Sequence, residues 1–539
     1  MKQPGFRQTN AWLHTWTGLL LGWLLYAVFL TGTLSFFHQE ISYWMKPELH
    51  TEKDDGSSAS HAINYLQQVA PTAGIWRILL PTERNPGLEV RWFEPGERVG
   101  RGSGQRQLLN VETGEEVTPR ATRGGDFLYR FHFELYGIPR ITARWIVGIA
   151  TMFMLVAIVS GVVTHKKIFK DFFTFRPRKG SRSWLDAHNA TAVLALPFHF
   201  MITYSGLLLF MYMLMPWGIS SAYQGDMQAY FSESGNRRAA LERGVPAQPD
   251  PAAPITLTAI EPLIAQAEQQ WERGVAGIRV TQPATPQAVI ELYEQGGDSL
   301  IEGRRSDMLR FDGVSGKLLD NPAEHTAVPV TNAVYSVFRN LHLIRFAGPP
   351  LRWLFFLSGV LGTAMIATGL ILWVSKRLPQ RQKLGRTPVG HRLVETLNVG
   401  TVAGLPLAIA AYFWANRLLP VELAQRSDWE IRCFLITWLL CLLHPLLRSY
   451  KRAWQEQLLV AALLFAGLPL FSLTLPNTGL PTSLAGGNWL LAGIELTLLA
   501  TAALLGFAAY MLSRRQPQTR ASSKKAAAGQ TVQIKEASA

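Results

Sequence analysis

Cysteine is almost missing from this chain: 539 residues include 2, Cys433 and Cys441, and both fall inside one apolar run. That excludes a disulfide framework, a CxxC redox or metal motif and a thiolate-held iron–sulfur cluster. Charge is also scarce, at 17% of residues. Within the apolar runs no Asp or Glu stands at metal-ligand spacing, Asp186 lying outside them, which argues against zinc or di-iron. No G-x-G-x-x-G opens a helix after a strand, so the chain has no recognisable site for NAD(P)H or flavin.

What is abundant is apolar sequence, 48% of the chain with 17 Trp, and its clustering decides the class. Stretches of about 20 nearly uncharged residues, enough to cross a hydrocarbon core of ~30 Å, recur eight times. They run from Trp12 to Phe37, Trp145 to Thr164, Ala190 to Met215, Trp353 to Val374, Leu397 to Trp414, Ile431 to Leu447, Leu458 to Leu473 and Trp489 to Leu512. The net charge of +14 does not point to nucleic acid. Its residues gather in the short loops after spans two (Lys166, Lys167, Lys170, Arg176, Arg178, Lys179, Arg182), four (Lys376, Arg377, Arg381, Lys383, Arg386, Arg392) and six (Arg448, Lys451, Arg452). That is the positive-inside pattern, and it places both termini in the cytoplasm of a bacterial-type inner membrane. The first span is too long for a signal peptide and lacks a small-residue cleavage site, so it is expected to remain as an anchor.

The expected architecture is an all-α polytopic bundle of about eight transmembrane helices with two α+β modules on the periplasmic side. The segments are 1–37 (span one), 38–143 (module one), 144–165 (span two), 166–186 (basic loop), 187–215 (span three), 216–350 (module two), 351–375 (span four), 376–394 (basic loop), 395–514 (four further spans) and 515–539 (a disordered tail). Each module reads as helix then strands: His61 to Val69 before Leu88 to Phe93 and a strand–turn–strand at 108–115, and Leu257 to Arg273 before Gly277 to Val280 and Ala288 to Tyr293. Internal duplication accounts for the repeat. Setting His14 on His188 puts Thr31-Gly32 on Ser205-Gly206, and setting Arg144-Trp145 on Arg352-Trp353 puts Gly161 on Gly369 and His132 within two residues of His342. The last four spans show no such match.

Chemistry is expected from histidine. Seven of the 12 histidines lie in or beside the first four spans, and ionisable side chains in lipid are costly and mark functional sites. They sort into two layers: His14, His165 and His188 near the cytoplasmic ends, and His38, His132 and His342 near the outer ends, with His199 well inside span three. His188 and His199 are the sharpest pair, because eleven residues at ~100° return to within ~20° of one helix face, about 16 Å apart along the axis. Imidazole is the usual axial ligand a membrane helix offers to haem iron, so one face could serve two haems of the b type. Duplication offers a different pairing, His14 with His188 and His132 with His342; His165 and His199 have no copy, their matches being Trp373 and Leu25. A histidine at a span end also reads as an interfacial side chain, and His199 beside Pro197 as a partner for a carbonyl freed by the proline. The ligand set is therefore a pool, headed by His188 and His199. Arg144 and Arg352 run against the charge rule and read either as partners of haem propionates or as interfacial anchors. Gly18, Gly22, Gly32, Gly359, Gly362 and Gly369 allow close approach of helices or of a flat macrocycle. His391 and His444 read as interfacial.

Several long motifs carry a resemblance: Leu13-His14-Thr15-Trp16-Thr17-Gly18 with Thr31-Gly32, Gly161 through His165 into Ile168 to Pro177, Trp184-Leu185-Asp186-Ala187-His188-Asn189, Leu196 to Ile202, and Leu341-His342 followed by Gly348-Pro349. Over roughly residues 10 to 415 the chain resembles the PepSY-associated transmembrane-helix family, iron-regulated inner-membrane proteins that include ferric-siderophore reductases. The resemblance implies PepSY-like periplasmic modules, b-type haem on transmembrane histidines, and electron delivery to a ferric-siderophore outside. A membrane quinol or a separate donor protein is the expected electron source. The competing expectation is a non-redox sensor, inhibitor or assembly factor whose modules bind peptide or protein; a transporter is third, and the spans show no broken-helix repeat with buried charge.

Overall fold

Long apolar runs with few charges form helices because, away from water, only intrasegment hydrogen bonds satisfy the backbone. The structure, a computed structural model, describes residues 5–514 except 51–55, 98, 100–102, 166–174, 178, 227–228, 230–255, 272, 297–299, 301–307, 321–329 and 477. Lys166, Lys167, Lys170, Arg178, the 168–174 part of the family motif, His325 and the tail from 515 thus lie outside the described residues.

Among the described residues seven helices are long and apolar enough to cross a membrane, and one bent pair brings the number to eight if it forms a single span. Numbered in chain order with the helices between them, and leaving short helical turns aside, they are α1 (Phe6–Ser35), α2 (His38–Trp44), α3 (Ser58–Val69), α4 (Gly124–Glu134), α5 (Arg140–Thr164), α6 (Ser181–Leu194), α7 (Leu196–Leu209), α8 (Ile260–Glu268), α9 (Val330–Leu343), α10 (Pro349–Leu384), α11 (Val389–Leu418), α12 (Arg426–Leu447), α13 (Tyr450–Ser472) and α14 (Trp489–Ser513). Helices α6 and α7 form the bent pair, turning by 68° at Ala195. The cause is Pro197, which lacks an N–H and crowds the preceding turn.

The two α+β modules are not separate bodies. Their strands β1 (Ile75–Leu79), β2 (Leu88–Phe93), β3 (Gln105–Leu109), β4 (Glu116–Val117), β5 (Val275–Thr281), β6 (Val289–Glu294), β7 (Met308–Asp312) and β8 (Leu318–Asp320) make one antiparallel sheet in the order β4-β3-β2-β1-β5-β6-β7-β8. The first strand of each module pairs with the other, in the register Ile75↔Thr281, Arg77↔Arg279, Leu79↔Gly277, so the module repeat becomes an approximate two-fold through Arg77 and Arg279. Joining them removes two exposed edges. Alternate residues of the strands, among them Trp76, Ile78, Val90, Ile278, Val280 and Ile290, bury against α3 and α8 in a core separate from that of the bundle.

His50 follows α2 and packs on Tyr43, near Arg417 of α11. Its Nε2 donates to the Tyr43 carbonyl at 2.9 Å, and burial pushes its pKa down from 6.5 to about 4. The folded protein therefore resists protonation that the unfolded chain accepts, so this group's contribution to stability falls as pH drops from 6.5 towards 4, by up to about 1.4 kcal/mol per unit. Thermal unfolding of the wild type and of His50→Gln at pH 7 and 4.5 checks this: the advantage of the wild type shrinks at the lower pH.

Candidate functional site

The duplicated histidines meet in pairs. His14 on α1 faces His188 on α6, with ring centroids 6.1 Å apart, and His132 on α4 faces His342 on α9 at 6.2 Å. The first pair sits at the end of the bundle remote from the sheet, the second at the sheet end. Along α1, His14 is fourteen residues from Val28, whose carbonyl His132 contacts, which puts the two levels about 21 Å apart.

One local device seats all four rings. His14 Nδ1 donates to the Ala157 carbonyl and His188 Nδ1 to the Met365 carbonyl, each at 2.8 Å; His132 Nδ1 donates to the Val28 carbonyl at 2.7 Å. His342 Nδ1 lies 3.0 Å from Ser205 Oγ and against the Ile202 backbone; because that hydroxyl donates to the Met201 carbonyl at 2.6 Å, it accepts from the ring. Carbonyls only accept, so Nδ1 carries the proton and the Nε2 lone pair is left for another partner. Four residues beyond each of the four backbone positions stands a glycine, Gly161, Gly369, Gly32 and Gly206, packed on the ring it admits. A Cβ on Gly161 or Gly369 would stand 3.1 Å from the Cε1 of His14 or His188, on Gly206 3.1 Å from Cε1 of His342, and on Gly32 only 2.6 Å from His132. Gly32→Val is therefore expected to displace His132 and lower ligand binding at the sheet-end pair at least tenfold, leaving the His14–His188 pair intact; titration of each site by its absorbance reads this out.

A cavity of about 1080 Å³ adjoins the sheet-end pair, running from Phe29, Gly32 and Gly206 past both rings to the polar side chains under the sheet. Arg144 and Arg352 line it.

The family description "PepSY-associated TM region" matches residues 11–376, more than half of the 539. The chain belongs to the PepSY-associated TM family. No curated protein matches it. The matched region of this PepSY-associated protein holds both histidine pairs, all four glycines and the whole sheet, whereas α11 to α14 follow it.

The remaining sequence-derived candidates stand elsewhere. His199, fully buried on α7, faces no histidine among the described residues; it packs edge-on to Phe29, and neither ring nitrogen makes a hydrogen bond of ordinary geometry. It lies between the two levels, its Nε2 3.1 Å from where a Cβ on Gly362 would be. His165, at the end of α5, takes a hydrogen bond from Asn189 at 2.8 Å and joins neither pair. Arg144 pairs with Glu134 and caps the Phe133 ring, while Arg352 reaches Glu40 at 3.3 Å and the Ala347 carbonyl at 2.8 Å. Glu40 also takes a two-pronged contact from Arg84 at 2.7 and 3.0 Å. Sequence reasoning missed these carboxylates, because Glu40 and Glu134 lie on short helices, α2 and α4, that fold back onto the bundle. His391, expected at the interface, is instead 5% exposed.

Proposed function

We propose that each histidine pair grips the iron of one b-type haem and that the chain carries electrons across an inner membrane to a ferric-siderophore on the sheet side. The observation that carries this reading is the pairing itself. With metal–imidazole bonds of about 2.0 Å and about 1.1 Å from nitrogen to ring centre, two imidazoles on opposite sides of one metal have centroids about 6.2 Å apart, against 6.1 and 6.2 Å here. Two protein ligands suit a macrocycle that brings four nitrogens of its own; a zinc site needs about four from the protein, and no group of three or more His, Cys, Asp or Glu with that capacity exists among the described residues.

Bound haem supplies a reversible one-electron carrier. The chain's residues do the rest. The carbonyls of Ala157, Met365 and Val28 and the hydroxyl of Ser205 fix the tautomer and the ring planes, which raises the basicity of Nε2. The glycines let the rings come close to the helix backbone, and Phe29, Phe198 and Met154 exclude water from the cavity wall. Arg144 and Arg352, held by Glu134 and Glu40, supply positive charge at the cavity for acidic groups. Hard oxygen donors hold Fe(III) far better than Fe(II), so one electron delivered to a chelate at the sheet end of the cavity loosens the iron. The basic loops opposite the sheet favour the cytoplasm for that end, which leaves the sheet outside.

The test is reconstitution into liposomes loaded with a reductant and exposed externally to a ferric hydroxamate with a ferrous indicator. External ferrous iron produced only with haem-loaded wild type supports the reading; equal production by haem-free protein sinks it, and binding of peptide to the sheet without any redox activity favours the sensor alternative.

A further inference from the structure

The four spans after the family region raise a separate question, since neither histidine pair draws a ligand from them. At the end of the bundle remote from the sheet, α10 passes from the His14–His188 pair to these spans within one turn: Gly369 touches His188, and Trp373, four residues on, lies 6.1 Å from the ring of His391 on α11, tilted by 38°. His391 is 95% enclosed (5% exposed), and its Nε2 has no hydrogen-bond partner. The Trp373 indole N–H is likewise buried without an acceptor. Glu395 Oε1 stands 3.4 Å from His391 Nε2 and takes a hydrogen bond from Arg381 at 2.7 Å, while Arg377 lies 3.9 Å above the Trp373 ring. On the other face of the same turns Val389 and Leu393 are 87% and 55% exposed, so this end of α11 presents apolar surface outward. Asn398 ties the wall together, donating to the Leu370 carbonyl at 3.0 Å and accepting from Trp23 at 2.9 Å.

We propose that this cluster is the electron-entry site and that its substrate is a lipid-soluble quinol, a claim that rests on the haem reading above. A buried imidazole with an unused nitrogen, a carboxylate beside it and an aromatic wall are what oxidation of an apolar aromatic diol needs: a base for the hydroxyl proton, a counter-charge for the imidazolium that results, and a surface for the ring. A quinol that becomes a quinone loses two electrons and two protons. The two electrons would leave one at a time by way of Trp373 and Gly369 towards the His14–His188 pair, whose rings would hold the one-electron carrier. Each proton passes to His391, is balanced there by Glu395, and leaves at the basic end of the bundle. Val389 and Leu393, exposed on the same turns of α11, offer an apolar donor a docking surface.

The test uses the full-length protein in nanodiscs with decyl-ubiquinol as donor and dithionite as the control, followed by stopped-flow absorbance, and a photoreactive azidoquinone as a binding probe. The quinol is expected to reduce the haem in wild type, with His391→Ala and the isosteric Glu395→Gln each slowing it at least tenfold while haem content and reduction by dithionite stay the same. The azidoquinone is expected to label peptides within 373–398. Reduction of both variants at the wild-type rate, or label confined elsewhere, overturns the proposal. If the wild type binds no haem, the haem reading fails by itself and the label decides this one: at 373–398 it stands as a quinone site, elsewhere it falls.

Discussion

Replacing His188 by alanine is expected to lower haem content from about two per chain to about one, and His14→Ala to do the same, because each ring holds one side of a single iron and a lone imidazole leaves the other side open. His132→Ala and His342→Ala are expected to remove the other haem. The double variant His14→Ala/His188→Ala should lose no more than either single one, whereas His188→Ala/His342→Ala loses both haems; effects within one site fail to add, and effects at separate sites do. His199→Ala is expected to keep both, since among the described residues its ring opposes no other histidine, and it sits beside Phe29 between the levels. Pyridine haemochrome assay against protein concentration reads all seven variants. Loss of haem from His199→Ala with retention in His342→Ala would move the sheet-end ligand onto α7.

The second large effect is at a distance from the rings. Arg426 and Glu430, both 0% exposed, pair at 2.5 Å on α12 and grip the segment leading into α4: Glu430 accepts from Thr122 at 2.6 Å, Arg426 donates to the Ala121 carbonyl at 3.0 Å, and Tyr412 donates to the Gly124 carbonyl at 2.9 Å. Phe127, one turn further, packs between Tyr412 and Phe434. The last spans therefore brace the helix that presents His132. Glu430→Ala leaves the Arg426 guanidinium buried without its counter-charge, which is expected to cost about 3–5 kcal/mol. The consequence is a lower melting temperature and selective weakening of the sheet-end site, with the His14–His188 site unchanged. The double replacement Arg426→Met/Glu430→Leu should recover most of the stability, since a packed apolar pair avoids the buried charge. Equal loss of both sites in Glu430→Ala, or none, would show that α12 does not position α4.

Much of this was legible in the sequence. Seven of the eight apolar runs overlap helices long enough to cross a membrane, because burial in lipid leaves the backbone no alternative to helix. The run from Ala190 to Met215 falls on the bent pair α6–α7, and the strand at Leu88 to Phe93 matches β2 residue for residue. The duplication was readable from Gly161 against Gly369 and Thr31-Gly32 against Ser205-Gly206, and those glycines are the ones that pack on the rings. Two features were not legible. Facing residues on one helix made His188 and His199 look paired, but the turn of 68° at Ala195 breaks the straight-helix geometry on which that spacing depends. Nothing local showed that β1 would pair with β5, because the register joins residues about two hundred positions apart. A better signal for the seats exists in hindsight: a histidine opposite a helical turn whose fourth residue is glycine, occurring twice in each half.

The most direct measurement is the low-temperature EPR spectrum and haemochrome stoichiometry of the oxidised wild type, produced with ample haem. About two haems per chain, both low-spin with two imidazole ligands, are the expected result. A colourless protein under those conditions, or haem that remains low-spin after His14, His188, His132 and His342 have all been replaced, would contradict the paired-imidazole sites.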